Sequence, residues 1–496
     1  MKNAVQLICY VDRLGGTLSG LRQLLHGPLG GLFGGVHLLP FFDPIDGADA
    51  GFDPVDHTQV DRRLGDWQDV QGLAQDFDVM ADVIVNHISS RSPQFLDYLA
   101  RDADSACAGL FLTFDRVFPQ GAAEQDLLAI YRPRPGLPFT ARTLADGRRR
   151  LMWTTFTSEQ IDIDVEHPQG IGYLDGILGI LARNGVRLIR LDAVGYAVKR
   201  AGTSCFMMAE TFTFIRGFSA RARALGMQVV VEIHAHHRLQ IEIAREVDWV
   251  YDFALPPLVL HAFAAASAAE LKHWIAIRPR NCLTVLDTHD GIGVIDIGPD
   301  GVGPQARAGL VSEAGIERLV SHIHAASRGE SLRATGPAAS NLDLYQVNCT
   351  FHDAMGRDDV RYLLARAIQF FLPGIPQVYY VGLLAGANDM ELLQQTQVGR
   401  DINRHHYTRD EIGVALQRPV VRDLLGLIRL RNAHPAFQGS FALQDSADDA
   451  LDMHWSNGAA FARLRVNLRS GVHQLEASGE PLAHFQLLNV ATPIAA

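Results

Sequence analysis

Three acidic residues close, or closely follow, separate apolar runs: Asp192 after Val186 to Leu191, Glu232 after Gln228 to Val231, and Asp290 four residues beyond Leu283 to Leu286. Runs of this kind read as strands covered on both faces, where an acid is expensive unless it is paired or used. Taken singly, each acid reads as one half of a salt bridge, with Arg190 the obvious partner for Asp192. Taken as three acids at three strand ends, they predict a catalytic cluster in which one carboxylate attacks and another carboxyl gives a proton. His234, His236, His237 and His289 leave room for a metal-dependent barrel hydrolase, because such enzymes place His and Asp ligands at strand ends. That reading lacks its usual companions, since there is no HxH on the first strand and no HExxH helix. A catalytically silent binding protein would have lost at least one of the three acids.

The elements that must position these residues form a repeating pattern. Val5 to Val11, Val36 to Phe42, Val79 to Val85, Val186 to Asp192, Val229 to Ile233, Val247 to Phe253, Leu283 to Asp287 and Ile375 to Val381 are eight strand candidates. Amphipathic stretches lie between most of them, including Leu174 to Ala182, Phe214 to Ala224, Leu271 to Ile277 and Val360 to Phe371. Eight strands alternating with helices predict an α/β fold, a (β/α)8 TIM barrel with its chemistry on the loops at the C-terminal face. The three acids fall on that rim.

A chain of 496 residues exceeds a bare barrel of roughly 250 residues, so insertions are expected. The barrel is expected in three parts, 1–86, 166–291 and 349–435. An inserted domain at 87–165, a second insertion at 292–348 and a small C-terminal β domain at 436–496 complete the chain. The net charge of −11, with arginines scattered rather than clustered, gives no footprint for nucleic acid or an anionic membrane. Five dispersed cysteines predict buried thiols in a reducing compartment rather than a disulfide framework. The first strand pattern begins almost at Met1 and no apolar run approaches membrane-spanning length, which together predict a soluble cytoplasmic protein.

The strings VHLLPFF, DVIVNH, RLIRLDAVGY, VVVEIHAHH and LDTHDGIG resemble the ordered signature regions of the α-amylase family of retaining α-glucosidases and transglycosylases. WVYDFALP, NLDLYQVN, PGIPQVYYVGLLAG and GRDINRHHY are similar to its sucrose phosphorylase subfamily. The resemblance runs in order from about residue 5 to about residue 435. It implies a retaining disaccharide phosphorylase with no cofactor and no metal. Asp192 matches the nucleophile, Glu232 the acid/base and Asp290 the carboxylate that stabilises the transition state. Double displacement at an α-linkage needs two carboxyl groups about 5 to 5.5 Å apart, one ionised and one protonated. Arg190 is placed to keep Asp192 ionised.

The same resemblance implies a closed glucose pocket. Asp49 and Arg400 match the pair gripping the far side of the glucosyl ring, His87 and His289 donate to its hydroxyls, and Phe52 and Phe156 form apolar walls, with Tyr196 and His234 also in contact with substrate. Arg134 and Tyr345 match phosphate-contacting positions, while Asp343 and Gln346 match the fructose-contacting side of the same acceptor loop, on which Leu344 also sits. The small residues of GESLRATGPAASN suit a mobile lid. The implied partners are sucrose or a related α-glucoside, inorganic phosphate, fructose and glucose 1-phosphate, and the sequence leaves a homodimer open. The segment AGFDPVDH is similar to a branch acting on sucrose 6'-phosphate or glucosylglycerol, whereas the uncharged Leu344 favours plain sucrose.

Overall fold

In the computed structural model, residues 1–47, 49–132, 136–300, 307–335, 346–479, 482 and 485–488 are described. Arg134, Asp343, Leu344 and Tyr345 lie outside the described residues. Eight parallel strands close into a barrel: β1 (Gln6–Cys9), β2 (Gly35–Leu38), β3 (Asp78–Ile84), β4 (Leu188–Asp192), β5 (Gln228–Val231), β6 (Trp249–Asp252), β7 (Cys282–Thr284) and β8 (Ile375–Tyr379). Each strand pairs with its sequence neighbours, and β8 closes on β1 through Gln6 opposite Gln377. All eight strands of the expected (β/α)8 barrel are present, all but β3 shorter than the apolar runs that marked them. The second run stops as barrel strand at Leu38, and Phe42–Asp43 turns away to pair antiparallel with Asp56–Val60.

Helices cover the barrel because their apolar residues recur on one face. In Pro168–Arg183, Leu174, Ile177, Leu178 and Leu181 are buried at helical spacing, and proline opens the helix behind the capping ring of His167. Asp359–Phe371 is buried almost throughout, since it lies between the barrel and a C-terminal antiparallel sheet. That sheet orders Ser440–Leu443, Ala450–Asn457, Ala460–Asn467 and His473–Ala477. Leu451, Met453 and Trp455 alternate inward on its second strand, and the Trp455 indole N–H donates to the Phe371 carbonyl at 2.7 Å, fastening sheet to helix.

Between β3 and β4 the chain leaves the barrel and forms a hairpin, Phe139–Thr143 with Arg149–Trp153. It returns through Gln160–Asp162, which pairs with His87–Ser89. A buried ammonium fastens this excursion. Lys199 Nζ lies 2.5 Å from the Asp162 carboxylate and donates to Asn86 Oδ1 at 2.6 Å, and Asp162 also accepts from the Thr155 backbone and hydroxyl. Removing one member of a buried ion pair leaves the other uncompensated, which costs about 3 to 5 kcal/mol. Lys199→Met is therefore expected to lower the urea midpoint strongly, and an unchanged midpoint would show that the clamp contributes little.

Four of the five cysteines are buried, Cys107 is half-buried, and all five are free thiols. Among the described residues no helix is long and apolar enough to cross a membrane.

Candidate active site

A polar column fills the barrel and ends at Asp192. Gln377 donates to Gln6 at 2.8 Å, the His37 ring meets Asp82 at 2.9 Å, and Asp82 lies 2.5 Å from Arg190. Strand register explains the last contact, because Arg190 stands directly opposite Asp82 across β4 and β3. Burial opposes the charge on Asp82, but the adjacent His37 and Arg190 hold its carboxyl down at about 2. The same Arg190 nitrogen donates to Asp192 at 3.0 Å. The nucleophile candidate is thus set by a chain of ionised partners anchored in the core, and the expected alliance of Arg190 with Asp192 is present, shared with Asp82.

Loops at the strand ends bring the other acids to the same place. Ala193, with φ of 53°, takes a left-handed turn just after Asp192, and its N–H donates to Glu232 Oε2 at 3.3 Å. A non-glycine residue held there stores strain of a kind that clusters at functional sites. Arg190 also approaches Glu232, at 3.9 Å. Asp290 sits beside His289 and Arg400, with the Arg400 guanidinium 2.8 Å from Asp290 Oδ1. Asp49 stands farther off, 4.0 Å from Arg400 and equally from the buried Arg404, so the guanidinium of Arg400 lies closer to Asp290 than to Asp49, and all three border the same pocket.

These residues line one pocket at the C-terminal mouth of the barrel, where sites of this fold lie. Asp49, Phe52, His87, Phe156, Asp192, Tyr196, Glu232, His234, His289, Asp290, Gln346 and Arg400 all border it, whereas Arg190 lies beneath, behind Asp192. Phe52 stacks on His289 at 4.8 Å and 12°, forming the apolar floor. Tyr196 is wedged between Phe156 at 5.2 Å and Phe206 at 4.8 Å. The His87 Nε2 lies 2.9 Å from the Phe52 carbonyl oxygen and donates to it, and burial lowers the ring's pKa. A neutral His87 therefore has its one N–H already engaged, which narrows the expected donor role.

The electrostatics separate the three acids. Burial, the largest influence, pushes the Asp192 carboxyl well above the usual range; Arg190 pulls it down, and Glu232, Asp82 and Asp290 push it up again. Asp290 differs, because Arg400 above all overcomes its burial and holds its carboxyl far below the usual range. Burial pushes His289 well below its ordinary value, so that ring is neutral.

The metal alternative gathers no histidine cluster. Among the described residues only Glu232, His234 and Asp290 bring ligand atoms within 4.8 Å of one another, and His236, His237 and His289 are not part of that group. His234 Nδ1 is committed to Asp296 and Asp290 to a guanidinium, a poor setting for a further cation.

Several site residues escaped the sequence reading. Phe206, Ile233, Gly195 and Gln160 line the pocket. Asp82 opens the apolar string DVIVNH and Asp296 lies in GIGVIDIG, but neither string says which partner its acid meets. Nothing local marked Phe206, which reaches the pocket on a turn flanked by left-handed Cys205 and Met207.

The closed barrel with its C-terminal antiparallel sheet has the fold of the alpha-amylase from H. orenii, with a TM-score of 0.64 at 16% identity, covering 94% of this chain and 90% of that one. No protein-family model matches the chain. Similarity to individual proteins is more specific: the chain is 58% identical to sucrose phosphorylase of Agrobacterium vitis over 97% of its own length and 98% of that relative's. It is 52% identical to sucrose phosphorylase of Bifidobacterium adolescentis, covering 95% and 94% of the two chains. The crystal structure of sucrose 6F-phosphate phosphorylase from Thermoanaerobacter thermosaccharolyticum superposes with a TM-score of 0.88 at 35% identity, covering 97% of each chain. The chain belongs to the sucrose phosphorylase family.

Proposed function

We propose that the protein catalyses reversible phosphorolysis of sucrose to α-glucose 1-phosphate and fructose, with retention, through a glucosyl group carried on Asp192. The observation that carries this reading is one pocket holding all three carboxylates, with a polar end built from Asp49, His289, Asp290 and Arg400 over the Phe52 floor. That end suits a single glucosyl ring.

The steps follow from the charges. Arg190 lies nearer Asp192 than Glu232, 3.0 against 3.9 Å, and so favours the ionised form of Asp192 against the burial that opposes it, the state in which Asp192 attacks. Asp192 attacks the anomeric carbon as the bond to the fructosyl oxygen breaks, and Glu232 gives its proton to that oxygen. A phosphate oxygen then attacks the same carbon, its proton passes to Glu232, and Asp192 leaves. Asp290, held ionised by Arg400, faces the positive charge that develops on the sugar. Arg134, Tyr345, Asp343 and Leu344 keep, in this proposal, the phosphate and fructose contacts that the family resemblance gives them, with Gln346 on the pocket wall.

Plain sucrose is favoured over its 6'-phosphate by the two sucrose phosphorylases at 58% and 52% identity, against 38% for a sucrose 6(F)-phosphate phosphorylase. Of the segment AGFDPVDH only the apolar Phe52 borders the pocket. Its Asp53 is buried and accepts from the Asp49 backbone at 3.2 Å, and His57 is buried against Phe42, so neither borders the pocket. Five unbridged thiols support a reducing compartment, the cytoplasm, as the place of action.

The test supplies sucrose, sucrose 6'-phosphate and glucosylglycerol in parallel and follows phosphate consumption. Consumption with sucrose well above the other two is expected. Preference for either alternative would overturn the acceptor assignment, and release of free glucose without phosphate uptake would overturn phosphorolysis itself.

A further inference from the structure

Asp296 lies outside the pocket lining yet holds one of its wall residues, His234, directly. Its side chain is fully buried in the short turn Val294–Asp296 beyond β7. One carboxylate oxygen accepts from the Ala235 N–H at 3.0 Å and the Gln240 amide at 3.0 Å, and the other meets His234 Nδ1 at 2.8 Å. The loop bearing Glu232 is thereby tied to the loop bearing Asp290.

The surroundings are shaped for the His234 contact. A Cβ added at Gly293 would stand 2.1 Å from Asp296 Oδ2 and 2.8 Å from His234 Nδ1, so glycine leaves the space that the pair occupies. The imidazole lies flat on Phe253 at 3.9 Å and 17°, which fixes its plane. With Nδ1 turned to Asp296, Nε2 points to the pocket and stands 3.8 Å from Glu232 Oε1.

The chemistry proposed above needs a cation at this point. Once Glu232 has given up its proton, an incoming phosphate meets a carboxylate of like charge beside the glucosyl group. We propose that Asp296 is a positioning residue of the acceptor side, holding His234 as an imidazolium whose Nε2–H faces the approaching phosphate and offsets the Glu232 charge. A carboxylate on one ring nitrogen fixes the tautomer and orientation of the other. The charged groups facing the ring are Asp296, Glu232 and Asp290; burial works against its protonation, and these three more than compensate, so its pKa is raised. His234 is charged below that raised value and loses its charge as pH rises through it. Removing the Asp296 charge moves that loss to lower pH.

This inference rests on the phosphorylase reading, and its test separates the two. Sucrose is supplied at fixed phosphate, and the ratio of glucose 1-phosphate to free glucose is followed from pH 5 to pH 9. The ratio does not depend on how much enzyme is correctly folded. For Asp296→Asn a fall of about tenfold near neutral pH is expected, with the pH at which the ratio declines displaced to the acid side by about one unit. Gly293→Ala, which crowds the same contact, should lower the ratio in the same direction, and it keeps the question open to test where Asp296→Asn does not fold. A ratio equal to wild type at every pH in both variants would overturn the positioning role. Absence of glucose 1-phosphate from the wild-type protein would instead overturn the phosphorylase reading.

Discussion

Asp192→Asn is expected to abolish turnover of sucrose, lowering the rate by about 10⁴-fold or more, because an amide cannot attack the anomeric carbon and no other described side chain stands in its place. Folding should survive. Asp192 is one of several acids crowded into a buried site, where Glu232, Asp82 and Asp290 all oppose its ionisation, and Arg190 keeps Asp82 as a partner at 2.5 Å without it. The thermal midpoint of the variant should accordingly match or exceed that of the wild type, a case of stability given up for function. Rates of sucrose consumption and a thermal melt on the same preparation check both halves. A variant that keeps more than a trace of activity would remove Asp192 as the nucleophile.

Glu232→Gln separates the acid from the nucleophile. General acid catalysis contributes about 10²- to 10⁴-fold, so phosphorolysis of sucrose, whose fructosyl oxygen must be protonated to leave, should fall by that scale. α-Glucosyl fluoride leaves without a proton and should be consumed with a far smaller loss. Initial rates on the two donors, compared in wild type and variant, provide the measurement. Equal losses on both would contradict the acid role and leave Glu232 as a structural partner of the Ala193 N–H.

The barrel was legible because its strands carry a signal that local sequence can hold. Parallel strands buried on both faces are short continuous apolar runs, and an acid at the end of such a run stands out, as Asp192 does after Leu191. Strand ends were less legible. Leu38 and Phe42 are both apolar and buried, and only the chain's departure to pair with Asp56–Val60 ends β2 where it does. The residues that support the site from outside were hardly legible at all. Lys199 meets Asn86 across 113 positions of sequence and Asp296 meets His234 across 62. A lone lysine or aspartate carries no mark of a partner so distant. The pairing of Arg400 with Asp290 shows the same limit: both residues could be named from sequence, but which acid the guanidinium grips was set by how two loops pack.

The most direct test of phosphorolysis through Asp192 is a proton NMR time course of the protein with sucrose and inorganic phosphate. Two displacements at one carbon restore its configuration, so the first phosphorylated product should be α-glucose 1-phosphate, appearing mole for mole with fructose and phosphate loss. A β-configured product would contradict a glucosyl-enzyme on Asp192, and glucose released with phosphate unchanged would contradict the phosphorylase.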